Sequence, residues 1–451
     1  MKENLENLNF LVGLIKIASI DTNVIKEFET IKNYYQEIQK NNDTLNKFNS
    51  LFLKEFDFDN AKNFTDDKKD LFFNLSIMLS FLDEFSEKEE EFIKDYANKL
   101  NYSIEKVSKI INDLKFETSK NLDFDLLFWF RKVVNGYINY LKTGITTFET
   151  YYSFRHLYFL TNKRINYLMI FLAEIFNGDF QEKNIKILGN DIDEVVKSVK
   201  ENGYFVFKER IDEEIIDKIQ EIANNNRCYP IFSDRKFSDC FLDEGVIFNN
   251  SEYVSTRYEY SLKLLINTPE VFEIIQDNNF TALSQQFFNS KSLLTTLNLW
   301  WTTPIRDDMD RYTGQVFHID IDRSQVLLIL IYINDVDENN GPHIYVKNSH
   351  KNVPHHLLQD RRMKEDEMIN EYSKENLIRI TGKKGTVIVT DPIGFHRGEP
   401  LHSDNRLALK FEFSTDGFGE MLPKMVVENN ETKEIINKLK SQYDYTFSKF
   451  E

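Results

Sequence analysis

The chain has 451 residues, 41% of them hydrophobic and 14% aromatic, which is long enough for two or three domains with cores and too apolar for global disorder. Its formal charge of −17 argues against a nucleic-acid partner, because that binding relies on Lys and Arg to neutralise phosphates. Two cysteines, Cys228 and Cys240, exclude a disulfide framework and suit a reducing cytoplasm.

The opening MKENLENLNFLVGLIKIAS has acids near its front and no unbroken apolar core, so it does not read as a signal peptide. No apolar run approaches the roughly 18 residues of a membrane span, and the most apolar patch, Tyr167 to Ala173, is expected in a buried helix. All eight prolines lie at or after Pro230, and ten of the fifteen glycines follow residue 200. The first part of the chain is therefore free to form long helices. Apolar residues at mixed three- and four-residue spacing around Leu71 to Phe85, Leu126 to Leu141 and Phe154 to Phe176 predict them. Residues 1–185 are expected as a helical domain without internal repeat. Its Phe-rich stripes are read as core rather than as a partner groove.

The character changes near Gly203. GYFVFK reads as a short strand, and Asp212 caps a helix through Ile219, with Glu213 and Glu214 at its positive end. SLLTTLNLWW (292–301), QVLLILIYI (325–333), GTVIVT (385–390) and RLALKFEFS (406–414) are strand-like runs rich in β-branched and aromatic residues. Strands without helices between them predict an antiparallel sandwich or jelly roll over 186–423, an α+β chain overall. The polar segment from His355 to Asn376 is expected as a helical or mobile excursion over one end, and residues 424–451 as a C-terminal helical tail.

Within VFHIDIDRSQ (316–325), His318 and Asp320 stand two residues apart, so a strand turns both to one face while Phe317 and Ile319 face packing. One imidazole and one carboxylate are two thirds of the 2-His-1-carboxylate facial triad of non-haem Fe(II). Alone, an H-x-D is weak, since such a pair also arises as a surface hydrogen bond. His396, 78 residues on in DPIGFHRGEPLHSDNR, is the expected third ligand, because it follows the apolar strand GTVIVT and is flanked by glycines. His402 is its rival, deeper in a polar loop; His343, His350, His355 and His356 are placed in or beside turns. Arg406 opens RLALKFEFS and shares a face with Ala408, Lys410 and Glu412. A buried arginine needs a partner, either a neighbouring acid or a ligand carboxylate gripped by its fork. Beside His318, Asp320 and His396, the ligand is the favoured reading.

Together these segments resemble the phytanoyl-CoA dioxygenase family of Fe(II)- and 2-oxoglutarate-dependent oxygenases over roughly residues 200–415. The likeness rests on NGYFVFKERIDEEIIDKI, on FHIDID, on NGPHIYVKNSHK and on FHRGEPLHSDNR, in that order and spacing. The resemblance implies a double-stranded β-helix (jelly roll), with iron held by His318, Asp320 and His396 and the distal carboxylate of 2-oxoglutarate held by Arg406. It implies oxidation of a substrate C–H by O₂, with 2-oxoglutarate converted to succinate and CO₂; Asp320 occupies the position that a halide site would need vacant, which favours hydroxylation. The chain departs from the family in having Gly398 where a hydroxylic residue commonly follows the distal histidine. Thr390 is the candidate substitute. Asn348 replaces the glycine of a family turn, and Asn tolerates the left-handed region. Asn298 and Trp300 alternate onto one face as candidate linings of the co-substrate pocket, and Tyr312 and Gln315 are candidate substrate contacts.

The expected substrate is a small metabolite or a carrier-linked intermediate, and the helical domain is left to dock a carrier, order an oligomer or cover the site. Two other readings stay open: a jelly-roll binding or scaffold protein without turnover, and a cupin-like metal isomerase or lyase that uses no 2-oxoglutarate.

Overall fold

A computed structural model describes residues 13–14, 56–82, 85–120, 126–177, 180, 184–231, 245–248, 255–304, 315–351, 353–358 and 361–451. The chain divides into two compact units, one of residues 1–175 with 418–421, the other of 176–417 with 422–451.

The first unit is helical among its described residues. Its helices start where polar side chains cap free backbone N–H groups. Thr65 Oγ1 accepts from the Lys68 N–H at Asp66–Ser80, and Ser86 and Glu89 form a reciprocal capping box at Glu87–Lys99. Leu126–Thr143 and Phe148–Leu160 follow, the second capped by Thr147. The apolar stretch 154–176 is not one helix but parts of two, Phe148–Leu160 and Ile165–Asn177. The break at 161–164 places Asn162 and Lys163 at φ 47° and 59°, left-handed conformations that end a helix. Phe72, Phe73, Phe130, Phe154 and Tyr158 are buried at its centre, and Phe418 stacks edge-on against Tyr137, Tyr140 and Phe154.

The second unit is built on antiparallel strands: β1 (Lys186–Ile187), β2 (Asn190–Asp191), β3 (Tyr204–Val206), β4 (Arg227–Pro230), β5 (Val246–Ile247), β6 (Arg257–Tyr260), β7 (Leu293–Thr302), β8 (Val326–Tyr332), β9 (His343–Val346), β10 (Leu377–Ile380), β11 (Val387–Thr390), β12 (His396–Gly398) and β13 (Arg406–Ser414). Eight of them form a sheet in the order β3-β11-β8-β13-β7-β6-β4-β5, and three form a second in the order β10-β9-β12. β8 lies inside the large sheet, and every residue of VLLILIY is buried, because both of its faces pack. Leu327, Ile329 and Ile331 point to an outer core shared with residues of the helices Ile192–Asn202, Glu213–Asn225, Pro269–Asp277, Phe280–Phe288 and Asn430–Gln442. Leu328, Leu330 and Tyr332 point to an inner core with Trp300, Ile388, Ala408 and Ile380 of the small sheet. A further tie fixes that spacing: the His343 N–H donates to Tyr332 Oη at 2.8 Å, and the Tyr332 hydroxyl donates to the Ile380 carbonyl at 2.7 Å. Two antiparallel sheets closed over an inner core make this unit a double-stranded β-helix, preceded by the helical unit, an α+β architecture.

Several expectations change in detail. Asp212 does cap a helix, accepting from the Glu214 N–H at 2.8 Å, but that helix runs on to Asn225. Residues 316–320 form no continuous strand: Phe317 pairs with Met363 and His318 with His396 as single bridges. His343, expected in or beside a turn, follows the bends at 338–340, opens β9 and is buried. The 355–376 excursion is two short 3₁₀ turns around the helix Glu365–Tyr372.

Candidate metal centre

β12 follows β11 after a short turn and opens with His396, which is buried. Its backbone exchanges both hydrogen bonds with His318: the His318 N–H donates to the His396 carbonyl at 3.1 Å, and the His396 N–H donates back at 3.0 Å. Directly opposed residues bring their side chains together, and the imidazole centroids are 4.4 Å apart. The Asp320 N–H donates to the Pro392 carbonyl at 2.9 Å, turning its carboxylate toward the same point. Asp320 Oδ1 is 3.7 Å from His318 Nε2, and Oδ2 is 3.4 Å from His396 Nε2. One nitrogen of each imidazole and one oxygen of Asp320 all lie within 4.8 Å of one another.

Both rings are held in the tautomer a metal requires. His318 Nδ1 lies 2.8 Å from the Val316 carbonyl and His396 Nδ1 2.9 Å from the Gly394 carbonyl. A carbonyl only accepts, so each Nδ1 carries a proton and each Nε2 is the nitrogen left to face the cluster. Burial, reinforced by His396, pushes the His318 pKa down to about 3, so its imidazole is neutral at physiological pH. Burial works to raise the Asp320 pKa, but the neighbouring His396 and His318 rings outweigh it and hold the carboxyl well below its usual range. Two imidazole nitrogens and a carboxylate oxygen are the donor set that suits Fe(II).

Arg406 opens β13 and is 5% exposed. Its Nη1 donates to the Gly341 carbonyl, and Nη2 donates to Thr302 Oγ1 at 3.3 Å. Among the described residues no carboxylate pairs with it, and its Nε has no partner. A guanidinium has five N–H donors, so it keeps donors to offer. Burial lowers its pKa, the mark of a cation poor in countercharge. A Cβ on Gly398 would stand 2.8 Å from Arg406 Nη2, so this position lies directly beside the guanidinium. His343 lies beside this group, its ring centroid 5.6 Å from that of His396 and its Nε2 unpartnered. Burial, then His396 and Arg406, hold its pKa well below the ordinary histidine value.

Of the other expected site residues, Trp300 faces the inner core, where its Nε1–H donates to Thr302 Oγ1 at 3.1 Å and the Arg257 guanidinium stacks on its ring at 4.6 Å. Asn298 Nδ2 is 3.4 Å from Glu259 Oε2, so it joins a charged patch rather than the arginine. That patch includes the Arg257–Glu259 pair at 2.6 Å and the Lys410–Glu412 pair at 2.6 Å. Burial opposes the charge on Lys410, but Glu412 and Asp320 keep its pKa raised. Thr390 and Gln315 are buried with unpartnered side-chain atoms. Tyr312 lies outside the described residues. His402 is exposed, and His350 Nε2 lies 3.0 Å from the Lys200 carbonyl, away from the cluster. Asn348 has φ 67°, the left-handed turn its residue type allows. His343 and Thr302 were not singled out by the sequence. The alternation of His343 and Tyr345 with Ile344 and Val346 was the available signal.

Two histidines and an aspartate thus converge on one point of a double-stranded β-helix, with a buried arginine opening β13 of the large sheet, a donor set of the kind that non-haem iron sites use. Residues 199–408, a little under half the chain, match the phytanoyl-CoA dioxygenase (PhyH) family. The chain therefore carries a phytanoyl-CoA dioxygenase-like domain, of a family that works with Fe(II), 2-oxoglutarate and O₂. No curated protein matches it. Similar solved structures include the non-haem α-ketoglutarate-dependent epimerase SnoN from nogalamycin biosynthesis, 11% identical over 49% of this chain and 82% of its own, with TM-score 0.35. HygX from Streptomyces hygroscopicus, solved with nickel, 2-oxoglutarate and hygromycin B, is 13% identical over 49% of this chain and 86% of its own, with TM-score 0.34. EctD from S. alaskensis with bound Fe is 12% identical over 53% and 80%, with TM-score 0.35. Among the described residues no helix is long and apolar enough to cross a membrane.

Proposed function

We propose that the protein is an Fe(II)/2-oxoglutarate-dependent dioxygenase that hydroxylates a small metabolite or a carrier-linked intermediate. The observation carrying this reading is the convergence of His318, Asp320 and His396, with both Nδ1 atoms occupied by backbone carbonyls. In it, His318 Nε2, His396 Nε2 and one Asp320 oxygen hold Fe(II), and Arg406 receives the distal carboxylate of 2-oxoglutarate through its free donors. When bound, Fe(II) and 2-oxoglutarate would activate O₂, the oxidant: 2-oxoglutarate would give two electrons in becoming succinate and CO₂, and the substrate C–H the other two. The protein's part is geometric. With each Nδ1 tied to a backbone carbonyl, the two Nε2 atoms are the nitrogens left to face a metal, and Asp320 arrives already ionised. Trp300, Leu328, Leu330 and Ala408 wall the inner core against water. Lys410 and Glu412 stand on the Arg406 face of β13, and Lys410 couples electrostatically to Asp320. This charged lining favours a polar substrate over a bare acyl chain, which would strand those groups without water.

The test is succinate formation from 2-oxoglutarate by iron-loaded protein under air, with and without candidate polar substrates. Turnover stimulated by a substrate and abolished in His396→Ala supports the reading. A folded, iron-loaded protein that releases no succinate with any of them points to a binding or scaffold role. Turnover of a substrate without 2-oxoglutarate, unaffected by Arg406→Ala, points to the isomerase or lyase.

A further inference from the structure

We infer that His343 is a direct contact for the co-substrate, its Nε2–H donating to a carboxylate of 2-oxoglutarate between the metal cluster and Arg406. This rests on the reading just proposed. The imidazole is 6% exposed and its Nε2 has no hydrogen-bond partner. Buried polar atoms in native proteins nearly always have one, so an unpartnered one beside a binding site points to a ligand that supplies it.

Three contacts place the ring between the two ends of the site. β9 pairs with β12 so that Tyr345 is opposite His396 and His343 is opposite Gly398. The His343 ring is tilted 37° to that of His396 at 5.6 Å. On the other side, the carbonyl of Gly341, two residues before His343, accepts from Arg406 Nη1, and the Cβ site of Gly398 is 2.8 Å from Arg406 Nη2. A cross-strand pair shares one face, and Gly398 puts no side chain there, so His343 is the polar group that this face offers. Its position is set by the backbone, since the His343 N–H is held by Tyr332 Oη and that hydroxyl by Ile380. A carboxylate has about four lone-pair sites and accepts from a guanidinium and an imidazole together. A ligand that reaches from the metal cluster to Arg406 with acceptors at both ends is a dicarboxylate, the chemistry of 2-oxoglutarate itself.

The test measures binding under anaerobic conditions with full-length protein, Fe(II) and 2-oxoglutarate, using wild type, His343→Leu and His343→Gln. Fe(II) affinity should be unchanged in both variants. The 2-oxoglutarate Kd should rise about tenfold to a hundredfold in His343→Leu, the worth of one hydrogen bond to a charged group, and recover in part in His343→Gln. Equal 2-oxoglutarate affinity in wild type and His343→Leu overturns the inference while leaving the oxygenase reading standing. Wild type that binds Fe(II) but no 2-oxoglutarate overturns both. Should the leucine variant fail to fold, histidine ¹⁵N spectra of the Zn(II)-loaded wild type decide: a His343 Nε2 resonance that moves on adding 2-oxoglutarate supports the contact, and one that stays overturns it.

Discussion

Replacing Arg406 by methionine separates a ligand-binding cation from a structural one. A structural arginine would answer a buried acid, and its removal would strand that acid at a cost of about 3–5 kcal/mol. Arg406 answers none among the described residues; it is held by the Gly341 carbonyl and Thr302 Oγ1 alone. Methionine deletes a poorly compensated buried charge and fills similar volume, a gain, and leaves the Gly341 carbonyl short of a donor, a loss of about 1–3 kcal/mol, while Thr302 Oγ1 keeps the Trp300 Nε1–H. These terms oppose each other, so the ligand-free stability of Arg406→Met should stay within about 2 kcal/mol of wild type. The cost appears on binding: without the guanidinium, 2-oxoglutarate loses two charge-assisted hydrogen bonds, about 3 kcal/mol together or roughly a hundredfold in Kd. Urea unfolding of the metal-free protein gives the first number, and anaerobic titration of the Fe(II) form gives the second. A variant destabilised by 3–5 kcal/mol with unchanged 2-oxoglutarate affinity would refute the ligand role and make Arg406 a structural cation.

The depressed pKa of His318 has a pH consequence. In the unfolded chain a histidine takes its proton below about 6.5, whereas the folded ring, buried, resists it down to about 3. Protons therefore favour the unfolded state, and the stability present above about 6.5 is lost progressively as pH falls toward 3. Metal-free wild type should lose more stability between pH 7 and pH 5 than His318→Asn in urea melts; equal losses would show that the ring titrates normally. Gly203 ends the helix Ile192–Asn202 at φ 90°, and a Cβ there would overlap the Tyr345 hydroxyl. Gly203→Ala should cost about 1–3 kcal/mol, backbone strain and clash together; a loss below 0.5 kcal/mol by chemical denaturation would contradict that packing.

What the sequence made legible was local and periodic. VLLILIY reads as a buried strand because it packs on both faces, and Asp212 reads as a cap because its oxygen meets an N–H two residues on. His318 and Asp320 were readable as a pair from their spacing alone. β4, β6, β9, β10 and β12 were not, because strands of three or four residues show too little alternation to separate from loop, and their pairing is set by partners far along the chain. The break at 161–164 carries no proline or glycine; only Asn162 hinted at it. The partners of Arg406 lie 65 and 104 residues away, which is why the chain alone left an acid and a ligand as alternatives. His343 went unread for the same reason: its neighbours His396, Gly398 and Arg406 become neighbours only when β9 and β12 pair.

The most direct measurement is Fe(II) stoichiometry in anaerobic equilibrium dialysis, for wild type, Asp320→Ala and His396→Ala, with folding checked by circular dichroism. One equivalent bound by wild type and none by either folded variant is the predicted outcome. Wild type that takes up no Fe(II), or a His396→Ala variant that retains a full equivalent, would contradict the three-residue centre.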